Sequence, residues 1–208
     1  MTRRILLLAA VLPVLLLLST CKEERPKVEL TPAEEALLAQ KADEKIGLIL
    51  RENLPSLFAG LVVFRSDVFL TQSAMLDERG ISVLNAFGNA AILLLNSPDI
   101  PMLLKLDPVK KIYYLSRQGP LARFHPAFEM DLLRRFGEGK EGEPLSFLIR
   151  FRESPEERDV RAVEAAGFRI DTRTGGAWVI TGPLTGIPRL MENDRIIFYE
   201  GASKARTM

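Results

Sequence analysis

The sequence predicts an α+β protein that contains two copies of one small fold. Residues 61–107 recur weakly at residues 148–194, and matching residues are always 87 positions apart, as from Phe64 to Phe151. An internal repeat of this length indicates two copies of one structural unit. The matched pairs are Leu61 and Leu148, Phe64 and Phe151, Arg65 and Arg152, Gly80 and Gly167, Gly88 and Gly175, Ala90 and Ala177, Ile100 and Ile187, Pro101 and Pro188, Leu103 and Leu190, and Asp107 and Asp194.

The second copy, residues 144–201, shows the order strand, helix, strand, strand, helix, strand. Its first strand has apolar side chains at alternate positions of residues 145–152, as a half-buried strand requires. Ser154-Pro155-Glu156-Glu157 predicts a helix start, with Ser154 as the cap and Glu157 completing a capping box, and Gly167 predicts the helix end. Thr174-Gly175-Gly176 predicts a hairpin.

The first copy, residues 57–117, follows the same order. It contains two residues more between Asp107 and Ile112 than the second copy contains between Asp194 and Ile197, a difference that a loop accommodates. Both copies are therefore expected to be split βαβ, ferredoxin-like units, in which two helices cover one face of a four-stranded sheet.

Two further helical segments flank these copies. An N-terminal helix is predicted within residues 31–55, where Thr31-Pro32-Ala33-Glu34 forms a capping box and apolar residues follow at helical spacing. Residues 118–143 link the copies and contain a short predicted helix, Pro126 to Phe136, which Gly137 ends. Residues 138–143 are predicted to be flexible, so the copies can move unless their sheets pack together.

The N-terminus has the pattern of a bacterial lipoprotein signal peptide, residues 1–20. Arg3-Arg4 precede about fourteen apolar residues, fewer than the roughly 20 that a transmembrane helix needs. Leu18-Ser19-Thr20-Cys21 resembles a lipobox, which implies that Cys21 carries the lipid, although Thr20 replaces the usual Gly, Ala or Ser. An uncleaved anchor and ordinary secretion are the alternatives.

The lipid attachment at Cys21 implies an extracytoplasmic protein bound to a membrane through its N-terminus. Cys21 is the only cysteine, so it cannot form an intramolecular disulfide. The charged residues 21–30 are predicted to be a tether. Because Lys22 rather than Asp follows the cysteine, the outer membrane, facing the periplasm, is expected in a Gram-negative cell.

Composition argues against several functional classes. The 28 basic residues balance the 27 acidic residues, which argues against binding to nucleic acid. The single histidine, His125, lies beside no nucleophile or carboxylate motif and is interpreted as a structural or surface residue. We expect no metal site, no cofactor and no catalytic residues, and therefore no enzymatic activity.

Several predicted strands are apolar on both faces. Residues 91–95 are apolar throughout and residues 196–199 nearly so, and a strand with two apolar faces is normally covered on both. The two open sheet faces either pack against each other, the interpretation that we favour, or leave one face for a protein partner.

The second copy also resembles the subtilisin propeptide, or inhibitor I9, family. The residues that carry this resemblance are Phe147-Leu148-Ile149-Arg150-Phe151, Ala166-Gly167-Phe168, and the closing Asn193-Asp194-Arg195-Ile196-Ile197-Phe198-Tyr199-Glu200. The first copy has a similar junction at Asp107-Pro108-Val109. The resemblance implies an inhibitor or folding chaperone of a subtilisin-class serine protease, with the C-terminal tail added as a strand in the protease cleft.

Taken as a sequence, the chain is predicted to be a non-enzymatic lipoprotein that acts as a protein-binding or assembly scaffold. The propeptide-like inhibitor or chaperone is the alternative. Residues 202–208 are predicted to be a flexible tail. The residues that would bind the partner in the alternative are Gly201, Ala202, Ser203, Lys204, Ala205, Arg206, Thr207 and Met208.

Overall fold

The computed structural model describes residues 28–52, 57–116 and 123–201, which form two four-stranded antiparallel sheets with helices. The predicted signal peptide, Cys21 and residues 202–208 lie outside the described residues. The α+β class that the sequence predicts is confirmed.

The first sheet has the strand order β2-β3-β1-β4. Its strands are β1 Phe58–Phe64, β2 Ser82–Phe87, β3 Ala90–Leu95 and β4 Val109–Ser116. The helices that precede or connect these strands are α1 Pro32–Lys41, α2 Glu44–Arg51, α3 Val68–Thr71, α4 Ser73–Glu78 and α5 Asp99–Lys105.

The second sheet has the equivalent order β6-β7-β5-β8. Its strands are β5 Pro144–Phe151, β6 Arg169–Thr174, β7 Ala177–Pro183 and β8 Ile196–Gly201. Its helices are α6 Pro126–Glu138, α7 Glu157–Ala165 and α8 Ile187–Met191, the last preceded by a 3₁₀ turn at Leu184–Gly186.

Strand pairing in the second sheet repeats that in the first at a spacing of 87 residues. Gly60 pairs with Tyr114 in the first sheet, and Phe147 pairs with Gly201 in the second. The irregularity in the hairpins also recurs, after Val83 in the first sheet and after Ile170 in the second. The internal repeat seen in the sequence therefore corresponds to a repeat in backbone pairing.

The alignment of Ile112 with Ile197, on which the predicted two-residue excess of the first copy depends, is wrong. Ile112 pairs with Val62, and Tyr199 pairs with Ile149. Ile112 is therefore equivalent to Tyr199 rather than to Ile197, and the spacing of 87 holds through the last strand. Successive apolar residues in β8 allow either alignment from sequence alone, and only the hydrogen-bond register distinguishes the two.

The single N-terminal helix predicted over residues 31–55 is two helices. The predicted capping box is present, because the Glu34 carboxylate accepts a hydrogen bond from the Thr31 N–H at 2.7 Å. Ala42 then adopts an extended conformation, and the Asp43 carboxylate accepts from the Ile46 N–H at 3.0 Å to begin α2. Asp43 therefore starts a second helix where the apolar spacing suggests continuity.

Two other helix ends differ from the predictions. Helix α7 begins at Glu157, with Glu156 as its cap and Asp159 completing the capping box, because the Glu156 N–H donates to Asp159 at 2.8 Å. Helix α6 continues past Gly137 and ends at Gly139, whose φ of 73° is a left-handed conformation that favours glycine.

Helix α6 lies between the two sheets. One side covers β1, β2 and β3 of the first sheet. On its other side the Phe128 ring lies 4.9 Å from the Phe147 ring of the second sheet. Apolar residues of both sheets consequently share one buried cluster with α6. The favoured interpretation that the two open sheet faces pack on each other is wrong, because a helix covers the first of them.

The segment that follows α6 is held by contacts to both sheets. The Tyr113 hydroxyl in β4 donates to the Glu141 carboxylate at 2.8 Å. The Leu184 N–H, which follows β7, donates to the Glu141 carbonyl at 2.8 Å. Burial, and next the Glu141 carboxylate, raise the pKa of the Tyr113 phenol. Flexibility of residues 138–143, predicted from their glycines and charges, is therefore not what the structure shows.

In each sheet, the last strand accepts a backbone hydrogen bond from the residue just before a preceding helix, and the two accepting residues are equivalent. The Asp43 N–H before α2 donates to the Ile112 carbonyl at 3.0 Å, and the His125 N–H before α6 donates to the Tyr199 carbonyl at 2.8 Å. Since Ile112 and Tyr199 are 87 residues apart, α2 and α6 occupy equivalent places in the two units.

Gly137 allows α6 to approach the first sheet closely. A Cβ atom at this position would collide with the Asn89 side chain, whose amide donates to the carbonyls of Gly137 and Phe64 at 3.1 and 3.2 Å. We predict that Gly137→Ala lowers the free energy of unfolding by about 1 kcal/mol, because overpacking of roughly 1–3 kcal/mol exceeds the gain in helix propensity.

The matched control is Gly142→Ala, whose added Cβ would meet no atom within 4 Å. Urea unfolding of both variants measures the difference. Equal stability of the two variants, or a more stable Gly137→Ala protein, would contradict the close approach of α6 to Asn89.

Candidate protein-binding face

Of the predicted partner-binding residues, the structure describes only Gly201. Gly201 is the last residue of β8 and pairs with Phe147 in β5. Gly201 therefore belongs to the second sheet, and its predicted role in partner binding stays a prediction. Ala202 to Met208 and the predicted lipid site Cys21 lie outside the described residues.

The two sheets differ in what covers the face that the paired helices leave free. In the first sheet this face is buried under α6. Its central residues are Ala59, Leu61, Val63, Ala90 and Ile92. In the second sheet the residues 87 positions later are exposed or half-buried, and they define what we call the open face. These residues are Ser146, Leu148, Arg150, Ala177 and Val179.

The centre of the open face is apolar. Leu148 pairs with Val179, and Arg150 lies between Ala177 and Phe198 on the two neighbouring strands. All four apolar residues are half-buried. Directly opposite residues on neighbouring strands interact through their side chains, so Leu148 and Val179 form an apolar pair, while Arg150 separates Ala177 from Phe198. We call these four apolar residues the apolar strip.

A chain of polar side chains borders this strip. The Ser146 hydroxyl is hydrogen-bonded to the Thr181 hydroxyl at 2.5 Å, and the Thr181 hydroxyl donates to the Asp171 carboxylate at 2.5 Å. The Arg169 guanidinium donates to the same carboxylate at 2.8 Å. The Thr181 hydroxyl first, and then Arg169, lower the pKa of Asp171, so the carboxylate is charged at neutral pH.

The charged groups of the open face are paired within it. Arg169 is 2.8 Å from Asp171, and Arg150 is 3.6 Å from Glu200. These ion pairs are exposed and contribute little to stability. Because two cations face two anions, the open face has no strong net charge. An apolar centre with a polar, charge-balanced border is the usual composition of a protein-binding surface.

His125 has a structural role, as the sequence suggests. Its Nδ1 accepts a hydrogen bond from the Ala127 N–H at 3.2 Å and so caps α6. The imidazole is exposed, and its ring lies 6.3 Å from the Phe198 ring at the end of the open face.

A cavity of about 530 Å³ lies between the two units, and one ion pair joins its two sides. The Lys45 ammonium is 2.7 Å from the Glu192 carboxylate and 5.7 Å from the centre of the Tyr114 ring. The Asp43 carboxylate accepts from the Tyr114 N–H at 2.5 Å. The remaining lining residues are Glu44, Leu48, Arg51, Thr185, Pro188 and Arg189. The Lys45–Glu192 ion pair therefore connects α2 of the first unit to the end of α8 in the second across this cavity.

Across the described ranges, the acidic, histidine and cysteine side chains form no group that could hold a metal ion. Within the same part of the chain, no helix is long and apolar enough to cross a membrane. No protein-family model matches the chain, and comparisons with curated proteins and with solved structures also give no match. The resemblance to subtilisin propeptides stays a prediction.

The sequence contains one signal for the open face that pattern analysis missed. Val63 in the covered face becomes Arg150 in the open face, and Leu94 becomes Thr181. A change from apolar to polar residues at equivalent positions indicates that the second face meets water. The apolar run Ile196 to Tyr199 obscured this signal, because it suggests burial on both sides.

Because α6 covers only the first of the two faces, the same substitution should lower the free energy of unfolding by different amounts in the two sheets. Leu61 is fully buried, whereas its equivalent Leu148 is half-buried. We predict that Leu61→Ala lowers the free energy of unfolding by about 2–5 kcal/mol, as for core leucines. Leu148→Ala is expected to cost about 1 kcal/mol or less. Urea unfolding of both variants tests this, and equal costs would mean that Leu148 is covered in the free protein.

Proposed function

We propose that this protein is a non-enzymatic, extracytoplasmic scaffold lipoprotein that binds a protein partner through the open face of its second sheet. The observation that carries this proposal is the contrast between the two equivalent faces. Leu61 and Ile92 are buried under α6, whereas Leu148 and Val179 remain half-exposed. The first unit therefore serves as structural support, and the second presents a surface.

We further propose that the two units are tandem ferredoxin-like repeats. The order β2-β3-β1-β4, with all neighbours antiparallel, supports this assignment. A helical segment follows the first strand of each sheet and another follows the third, which is the order of the split βαβ unit. This plan leaves one sheet face without its own helices, and that face is where the units differ.

The properties of the open face support protein binding. Its apolar residues lie on a regular sheet and are therefore held in fixed positions. Contiguous exposed apolar surface on a soluble domain commonly marks an interaction site. The charged residues of the open face are paired, with Arg150 near Glu200 and Arg169 near Asp171, and this charge balance favours a protein over a polyanion such as nucleic acid.

Two carboxylates with structural partners, Asp159 and Asp43, support a scaffold over an enzyme. Asp159 accepts hydrogen bonds from the Glu156 N–H at 2.8 Å and from the Asn193 amide at 3.0 Å. Asp43 caps α2 and binds the β4 backbone. Both carboxylates are therefore bound to groups of the protein itself, whereas paired acid–base chemistry requires carboxyl groups that reach a substrate.

The membrane attachment in this proposal occurs through a lipid on Cys21. We predict that the mature chain begins at a lipid-modified Cys21 and that Cys21→Ser leaves an unprocessed precursor. Mass spectrometry of the protein from native membranes measures both. An unmodified Cys21, or an intact Met1 on the mature protein, would contradict the lipoprotein assignment.

The binding prediction concerns Leu148. We expect Leu148→Asp to reduce capture of the partner from native membranes at least tenfold, because a carboxylate would have to be desolvated in the apolar centre. The control is Leu84→Asp, which alters an exposed leucine on the first sheet. Both variants should unfold within about 1 kcal/mol of the parent protein. Equal capture by both variants would remove the open face from the binding site.

An inhibitor or folding chaperone of a subtilisin-class protease is the second candidate. One observation favours it: β8 stays paired up to Gly201, so residues 202–208 follow directly from a sheet that has an open face. In this function the tail would add to the protease as a strand.

Truncation after Gly201, with the sheet kept whole, separates the two candidates. For an inhibitor, loss of several backbone hydrogen bonds of about 1 kcal/mol each should weaken protease inhibition by more than tenfold. For the scaffold, we predict that the intact chain does not inhibit subtilisin and that the truncated chain captures the partner normally. Inhibition by the intact chain that is lost on truncation would establish the inhibitor.

A further inference from the structure

We propose that the partner presents a single amphipathic α-helix to the open face, and that this helix lies across the second sheet as α6 lies across the first. This inference rests on the proposed function and specifies the chemistry of the partner. Its basis is the internal repeat, because the equivalent face in the same chain has its occupant in place.

The first sheet shows which surface shape allows a helix to pack on this face. Helix α6 crosses β1, β2 and β3. At its C-terminal end it approaches closely, with Gly137 next to the Asn89 side chain and to Ala90. Larger side chains, Leu61 and Ile92, form the rest of the floor and are fully buried. The helix comes this close because Gly137 has no side chain and the neighbouring Ala90 of the sheet has a small one.

The open face has residues of similar size at the corresponding positions. Leu61 corresponds to Leu148, Ala90 to Ala177, and Ile92 to Val179. Asn89 corresponds to Gly176, which leaves still more room for a helix backbone. Three of the five central positions therefore retain an apolar residue of similar shape. These three residues are only half-buried by the residues that the structure describes.

The edges of the second sheet make an added strand a poorer fit than a helix. At the β8 edge the His125 N–H already donates to the Tyr199 carbonyl, and Phe124 forms a parallel bridge there. The opposite edge strand, β6, is largely exposed, and from Asp171 to Thr174 it alternates charged and hydroxyl side chains, a composition that discourages strand addition. The apolar surface lies on the face of the sheet.

The two remaining positions argue that the occupant is not α6 of a second copy. Val63 corresponds to Arg150 and Ala59 to Ser146. A fully apolar helix side would bury the Arg150–Glu200 ion pair with no polar group opposite it, which is costly, and α6 already packs against both sheets in its own chain. The partner helix therefore carries apolar residues over Leu148 and Val179, and polar side chains opposite Arg150 and Glu200.

Site-specific photo-crosslinking in native membranes tests this inference. A benzophenone amino acid replaces Leu148, Val179 or Phe198, one at a time, and replaces Leu84 as the control outside the open face. Mass spectrometry then identifies the partner residues. We expect the three open-face positions to label one partner segment at residues three or four apart, the spacing of one helix side, and Leu84 to label none of it.

Labelling at every second residue of one segment, or in several separate segments, would overturn the helix but leave partner binding by the open face intact. Labelling of residues 1–27 or 202–208 of this chain, of a second copy, or of lipid would overturn a partner helix as the occupant. Absence of protein labelling from all three positions would overturn both this inference and the proposed binding face.

Discussion

The packing of helix α6 on two opposite sides is the interaction on which the rest of the structure depends. Phe128 reaches the core of the second sheet, while Gly137 lies against the Asn89 side chain of the first. Since α6 covers the first sheet, β1 is buried at every residue. Since α6 also belongs to the core of the second unit, apolar residues of both units pack in one buried cluster.

Much of the fold follows from local signals in the sequence. The spacing of 87 residues locates both sets of strands, and Gly88 and Gly175 mark hairpins because both adopt a left-handed conformation. The place of α6 does not follow, because it depends on tertiary contacts. Residues 138–143 likewise look flexible by composition, yet Glu141 binds Tyr113 through its side chain and Leu184 through its carbonyl.

The candidate site could be predicted only in part. Apolar residues at Leu148 and Val179 predict a covered face, and the choice between an internal and an external partner cannot be made from periodicity. The structure shows α6 on the equivalent face of the first sheet, where it buries Leu61 and Ile92. A duplicated unit thus supplies two related faces: one holds the molecule together, and its equivalent, with Arg150 in place of Val63, is proposed to bind a partner.

Native-state hydrogen exchange tests most directly whether α6 joins the two units. Amide protons in the central strands β1 and β3 should exchange with the same opening free energy as those in β5 and β7, because α6 covers one face of the first sheet and also belongs to the core of the second. The amides of α6 should belong to the same cooperative unit. Persistent protection of β5 and β7 after β1 and β3 have exchanged would show that α6 does not couple the sheets.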